Sequence, residues 1–112
     1  LPPEEFFPEI VTSLPQADAP GERVRTYLLQ GEGKQVAFVA FDADVDAPGE
    51  AHAAQWVVVL AGEVELTVAG EQAVYRRGDT YYVPAGVPHA ARIKTGSRLL
   101  DFFDQADRFR VK

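Results

Sequence analysis

Residues 78–93 read GDTYYVPAGVPHAARI. Gly78-Asp79 makes a turn, residues 80–83 a short strand, and Pro84-Ala85-Gly86 a rigid corner ending at Pro88, where His89 opens the next strand. Proline fixes the backbone and glycine supplies a positive φ, so the corner holds His89 in one place. Coordination distances tolerate little slack, and a histidine presented in this way suits a metal ligand.

Outward from this corner the chain is strand upon strand. Short runs rich in Val, Tyr, Phe and Leu fall at 24–29, 35–41, 55–61, 63–69, 73–76, 80–83, 89–93 and 98–103, with Gly or Pro in most of the gaps. Val64, Leu66 and Val68 alternate with Glu63, Glu65 and Thr67, so that strand has one buried and one wet face. Evenly spaced short strands of this kind make a sandwich or a barrel. The proline-rich start disfavours long helices, and residues 1–22 read as an extended arm with a short strand near Ile10–Val11. Residues 23–112 then form one barrel domain. In Leu99-Leu100-Asp101-Phe102-Phe103 both faces are apolar apart from Asp101. Either the strand is simply core or a second protomer covers one side, and a homodimer joined in part by the arm is the expectation.

The spacing of the corner resembles a known family. Gly78, five residues, Pro84, one residue, Gly86, two residues and His89 is similar to the second motif of the cupins. Upstream, QWVVVLAGE, ending near Gly62, resembles the close of the first motif. Small single-domain cupins often read His-x-His-x-x-Gln-Trp there; this chain reads Glu50-Ala51-His52-Ala53-Ala54-Gln55-Trp56. The resemblance spans roughly residues 35–112 and implies an all-β fold, a cupin double-stranded β-helix or jelly-roll barrel, with a metal inside. The implied ligands are Glu50, His52, Gln55 and His89. Glu50 and His52, two residues apart on one strand, would both point inward, a turn would bring Gln55 round, and His89 would arrive from the opposite side. A carboxylate, two imidazoles and an amide oxygen suit Mn, Fe, Ni, Co or Zn as one divalent ion. An amide is a poor ligand, so Gln55 binding substrate or water is the alternative.

The run LLDFFDQADRFR resembles the tail of the unsaturated-uronate linearising cupins, which carry an Asp, a Phe two residues on and an Arg a few residues later. Asp101 and Phe103 fit this pattern, and Arg108 fits with one extra residue between. Asp101 beside a metal is a candidate general acid or base. Phe41, Trp56, Tyr82, Phe103 and Arg108 are candidate walls of a substrate pocket. The expected function is a metal-dependent small-molecule enzyme or binder, acting on a sugar acid or keto acid by Lewis-acid and proton-transfer chemistry. A non-haem-iron dioxygenase at the same site and a non-catalytic ligand-binding module are the alternatives.

Composition narrows the field. A chain of 112 residues makes one domain, and a net charge of −6 disfavours nucleic acid and anionic membranes as partners. With no cysteine there is no disulfide, thiolate nucleophile or Cys-bound zinc. The longest apolar run, residues 56–61, is too short to span a bilayer, no signal peptide is evident, and a cytoplasmic location is the default expectation. Asp42-x-Asp44-x-Asp46 resembles the opening of a calcium loop, but Ala47 and Ala53 occupy its glycine and glutamate positions, so it reads as a solvated acidic loop. There is no P-loop, GxGxxG or GxSxG, and two serines make a serine triad improbable.

Overall fold

Period-two alternation divides the strands into a face turned to the core and a face turned away. The computed structural model describes residues 6–18, 23–50 and 52–112, with Gly49 and Glu50 described by backbone alone. The strands are β1 Val24–Gly31, β2 Lys34–Phe41, β3 Val45–Glu50, β4 Gln55–Ala61, β5 Glu63–Val68, β6 Glu71–Arg76, β7 Thr80–Val83, β8 His89–Ile93 and β9 Arg98–Phe103. They build a five-stranded sheet, ordered β1-β2-β9-β4-β7, and a four-stranded sheet, ordered β3-β8-β5-β6. Every pairing is antiparallel, and the two inner faces meet in one core, as in a jelly roll. Val57, Val59, Val64, Leu99 and Phe103 are almost wholly buried there, each contributing about 1.5–3 kcal/mol by burial.

Register fixes what faces inward. Leu28, Ala37, Asp101, Val57 and Tyr81 form one inner row across the five-stranded sheet, and Gln30, Gln35, Phe103, Gln55 and Val83 form the next. An outer row runs Leu29, Val36, Phe102, Trp56 and Tyr82. Between β4 and β5, Gly62 has φ 86°, and a Cβ there would stand 2.5 Å from Ser97 Cα. Only glycine lets these backbones approach so closely. The Ser97 hydroxyl both accepts from Glu63 N–H (3.1 Å) and donates to Glu63 C=O (3.2 Å), tying this turn to β9.

Two local expectations are corrected. Residues Glu9–Thr12 form a helical turn, α1, not a strand at Ile10–Val11. Pro8 opens it, where a missing N–H costs nothing, and Pro15 follows soon after its end. Phe6, Val11 and Leu14, around the buried Phe7, cover Tyr27, Phe38, Ala40 and Leu60 on the outer face of the five-stranded sheet. Gln16 and Ala17 then bridge to Tyr27 and Val111 and shield the edge of β1.

The acidic stretch is also more than a solvated loop. Asp42 pairs with Arg98 (3.2 Å), whose guanidinium is buried, and Asp46 lies in β3. Pro48 and Gly49 hide that strand from sequence reading. The strand tolerates them because its register with β8 slips between Ala47 and Glu50. Among the described residues no helix is long and apolar enough to cross a membrane.

Candidate functional site

The inner faces of both sheets enclose a cavity of about 280 Å³. Its apolar wall includes Val39, Phe41, Leu66 and Leu99, and its polar groups are His52, Gln55, Tyr81, His89, Asp101 and Arg108. This is the usual composition of a small-molecule site, apolar with a few convergent polar groups.

His89 stands where the Pro84–Pro88 corner sets it, at the start of β8. Gly86, at φ 76°, makes the turn, and its N–H donates to the His52 carbonyl (2.9 Å). The corner that presents one histidine is therefore bonded to the backbone of the other. β3 ends at Glu50, so His52 sits in the connection beyond the strand rather than on it. Glu50 pairs by backbone with His89, which places the two side by side in one sheet; the Glu50 side chain lies outside the described residues.

The two imidazoles meet edge to face, ring centroids 4.7 Å apart, with Nε2 to Nε2 at 3.2 Å. His52 Nδ1 lies 2.7 Å from Ala53 C=O and His89 Nδ1 lies 3.1 Å from Val87 C=O. A carbonyl oxygen only accepts, so both Nδ1 atoms carry the proton. The two Nε2 atoms then face each other at a separation that a shared proton or a cation bridges. Two imidazole nitrogens sharing an ion at about 2.1 Å with an angle near 100° stand about 3.2 Å apart. The arrangement fits a metal ion, with the Nδ1–carbonyl bonds as the second shell that ligating histidines need.

Gln55 opens β4 on the same inner face, and its Nε2 donates to Asp101 Oδ1 (3.4 Å). Asp101 is 7 % exposed. Burial pushes its carboxyl up to about 7, against the smaller opposing effects of the Gln55 hydrogen bond and the Arg108 charge. Burial, with the Asp101 charge and Tyr75 adding to it, pushes the Tyr81 phenol up as well. Arg108 lies over the rings of Phe103 (5.7 Å) and Phe109 (4.9 Å), so its charge is held on the cavity wall by aromatic faces.

The structure thus gathers His52, Gln55, His89, Asp101, Phe41, Phe103 and Arg108 around one cavity. Trp56 and Tyr82 are corrected: they lie in the outer row, 43 % and 60 % exposed, and do not line it. Strand phase is the reason, since Gln55 faces inward and its neighbour must face out. The same phase brings in Tyr81, missed in favour of Tyr82, although Tyr81 and Val83 share a face in TYYV. Phe109 was missed too; it lies beyond the last strand, where no period marks a face. Among the described residues, no three of His, Cys, Asp or Glu gather as a metal-holding group; the imidazole pair is the donor set brought into contact, with Gln55 lining the same cavity.

The fold has counterparts. A cupin from Shewanella frigidimarina, described as RmlC-like, superposes with a TM-score of 0.72 at 26 % identity, over 86 % of this chain and 87 % of that one. KdgF from Halomonas sp. superposes at 0.68 and 18 % identity, over 81 % and 87 %. The S161A mutant of Bacillus subtilis oxalate decarboxylase superposes at 0.70 and 15 % identity, over 90 % of this chain but 31 % of that one. At such identities the last two show the shared fold alone. No curated protein sequence matches the chain. The Cupin domain family matches residues 37–103, more than half of the sequence and the stretch that runs from β2 to the end of β9. This chain belongs to the cupin family.

Proposed function

We propose that this cupin holds one divalent transition metal, Mn, Fe, Ni, Co or Zn, at His52 and His89, and binds or converts a small oxygen-rich acid such as a sugar acid or keto acid. The observation that carries the reading is the pair of Nε2 atoms 3.2 Å apart, each on a ring whose Nδ1 is committed to a carbonyl. Gln55 and Glu50 are the further ligand positions. A divalent metal held there supplies Lewis acidity toward the oxygens of a bound acid.

The chain's own residues supply the rest. Asp101, whose carboxyl burial raises to about 7, is placed to take or give a proton within the cavity. Gln55 donates to Asp101 and orients it. Val39, Phe41, Leu66 and Leu99 give the cavity an apolar wall, which lowers the local dielectric and strengthens the charges beside it. Arg108 offers a guanidinium to a ligand carboxylate, a pairing that favours acids over neutral sugars. The proton-transfer role of Asp101 favours Lewis-acid chemistry over the dioxygenase alternative.

Calorimetric titration of metal-loaded protein with D-galacturonate and D-galactose tests the ligand class. The expected result is at least about tenfold tighter binding of the uronate, or about 1.4 kcal/mol, lost in Arg108→Leu. Equal binding of the two sugars by the parent would sink the acid-binding reading.

We also propose that the outer row Leu29, Val36, Phe102, Trp56 and Tyr82 packs on the same row of a second copy. It crosses all five strands, roughly 19 Å, and Leu29, Trp56, Tyr82 and Phe102 are exposed along it. α1 and its neighbours cover the adjoining part of this face and leave the row uncovered. Sedimentation equilibrium is expected to give a dimer for the parent and a monomer for Trp56→Asp. A monomeric parent at 100 µM would rule the dimer out.

A further inference from the structure

Gln35 stands on the inner face of β2, directly opposite Phe103, and is 0 % exposed. A buried primary amide is costly unless its hydrogen bonds are made. Gln35 makes three: Nε2 donates to Phe109 C=O (3.0 Å) and to Gln30 Oε1 (3.0 Å), and Oε1 accepts from Phe109 N–H (2.9 Å). The side chain thereby pairs with both polar groups of Phe109, as a neighbouring strand would.

The segment it grips, residues 104–112, leaves β9 and returns along the end of the β1–β2 hairpin. Its other hydrogen bonds and ion pairs to the barrel are an exposed Lys34–Asp104 ion pair, Asp104 N–H to Ala54 C=O (2.9 Å), Gln30 Nε2 to Ala106 C=O (2.5 Å), and backbone bonds joining Asp18 to Arg110 and Lys112 to Gln16. None of these acts at Arg108 or Phe109. Arg108 itself rests on two ring faces, and among the described residues its buried Nε has no hydrogen-bond partner. The guanidinium is therefore placed by these two rings, the Phe109 ring itself packing on Phe103 (5.6 Å) and the core, and by the Phe109 backbone, which Gln35 ties by hydrogen bonds.

We infer that Gln35 is a positioning residue: by clamping the Phe109 backbone it holds Arg108 on the cavity wall, where the guanidinium meets the carboxylate of an acidic ligand. The inference rests on the acid-binding reading above. Gln35 touches no ligand itself and acts through Arg108.

Metal-loaded parent, Gln35→Leu and the same-sized Gln35→Glu are compared by two measurements. In the first, trypsin cleavage after Arg108 is followed by intact mass. Both variants are expected to be cut at least about tenfold faster at a temperature well below their own, lowered, thermal midpoints, and unchanged cleavage in a folded variant overturns the clamp. In the second, D-galacturonate affinity is measured in each protein with and without Arg108→Leu. Gln35→Leu should weaken binding about tenfold when Arg108 is present and change it less than twofold when Arg108 is absent. Equal losses in both backgrounds overturn action through Arg108. Should Gln35→Leu fail to fold, Gln35→Glu decides both measurements. A parent that binds galacturonate no better than galactose overturns the ligand role together with the acid-binding reading; the cleavage result still decides the clamp by itself.

Discussion

Replacing His89 with alanine is expected to lower the affinity for divalent transition metals by roughly 100-fold or more, the largest effect of any single substitution in the cavity. Removing one imidazole leaves the Nε2 of His52 with an amide and a carboxylate position as company, a weaker and geometrically looser donor set. The barrel should survive, because His89 is only half-buried and the Pro84–Gly86 corner keeps its bond to the His52 carbonyl. Two readouts check this. Competition with a coloured chelator gives the affinity directly. In parallel, metal at about 100 times its dissociation constant should stabilise the parent by about 2.7 kcal/mol and the variant hardly at all. A change in affinity below threefold would contradict the pairing of His52 and His89 on one ion.

The second large effect concerns Asp101 in the metal-free protein. Its carboxyl titrates near 7 in the folded chain and near 3.8 when exposed, so between these values the folded state keeps a proton that the unfolded state has lost. The contribution to stability is complete below pH 3.8 and disappears as pH rises through 7. The difference corresponds to about 4 kcal/mol. Asn, which does not ionise and can still accept from Gln55, should remove that slope. Urea midpoints from pH 4 to 8 in the presence of a chelator, compared between parent and Asp101→Asn, report the difference. Surface carboxylates such as Glu63, held down by Lys94, act in the opposite sense but equally in both proteins. Parallel profiles would show that Asp101 is not held protonated by its surroundings. With metal bound, the nearby positive charge should reduce the slope in the parent.

What could be read from sequence was whatever local chemistry dictates. Strand runs such as β5, with Val64 and Leu66 inward against Glu63 and Glu65, announce themselves by alternation. The Pro84–Gly86 corner fixes His89 through residues within five positions of it. β3 stayed hidden because Pro48 and Gly49 oppose strand formation locally, and only the register slip against β8 admits them. α1 reads as extended from its prolines, and turns helical between them over an apolar patch that the sequence separates widely. Within the site, residue types were legible and facing was less so. Trp56 follows Gln55 directly, and on a regular strand such as β4 adjacent side chains face opposite ways, a constraint that needs strand phase and not residue preference. The Gln35–Phe109 clamp joins residues 74 positions apart, a distance over which no local pattern speaks.

The most direct test is the metal content of untagged protein purified without chelator, measured by elemental analysis beside His89→Ala. About one transition metal per chain in the parent and almost none in the variant is the expected result. A parent that arrives empty and also refuses added Mn(II), Fe(II), Ni(II), Co(II) and Zn(II) would contradict the proposed centre.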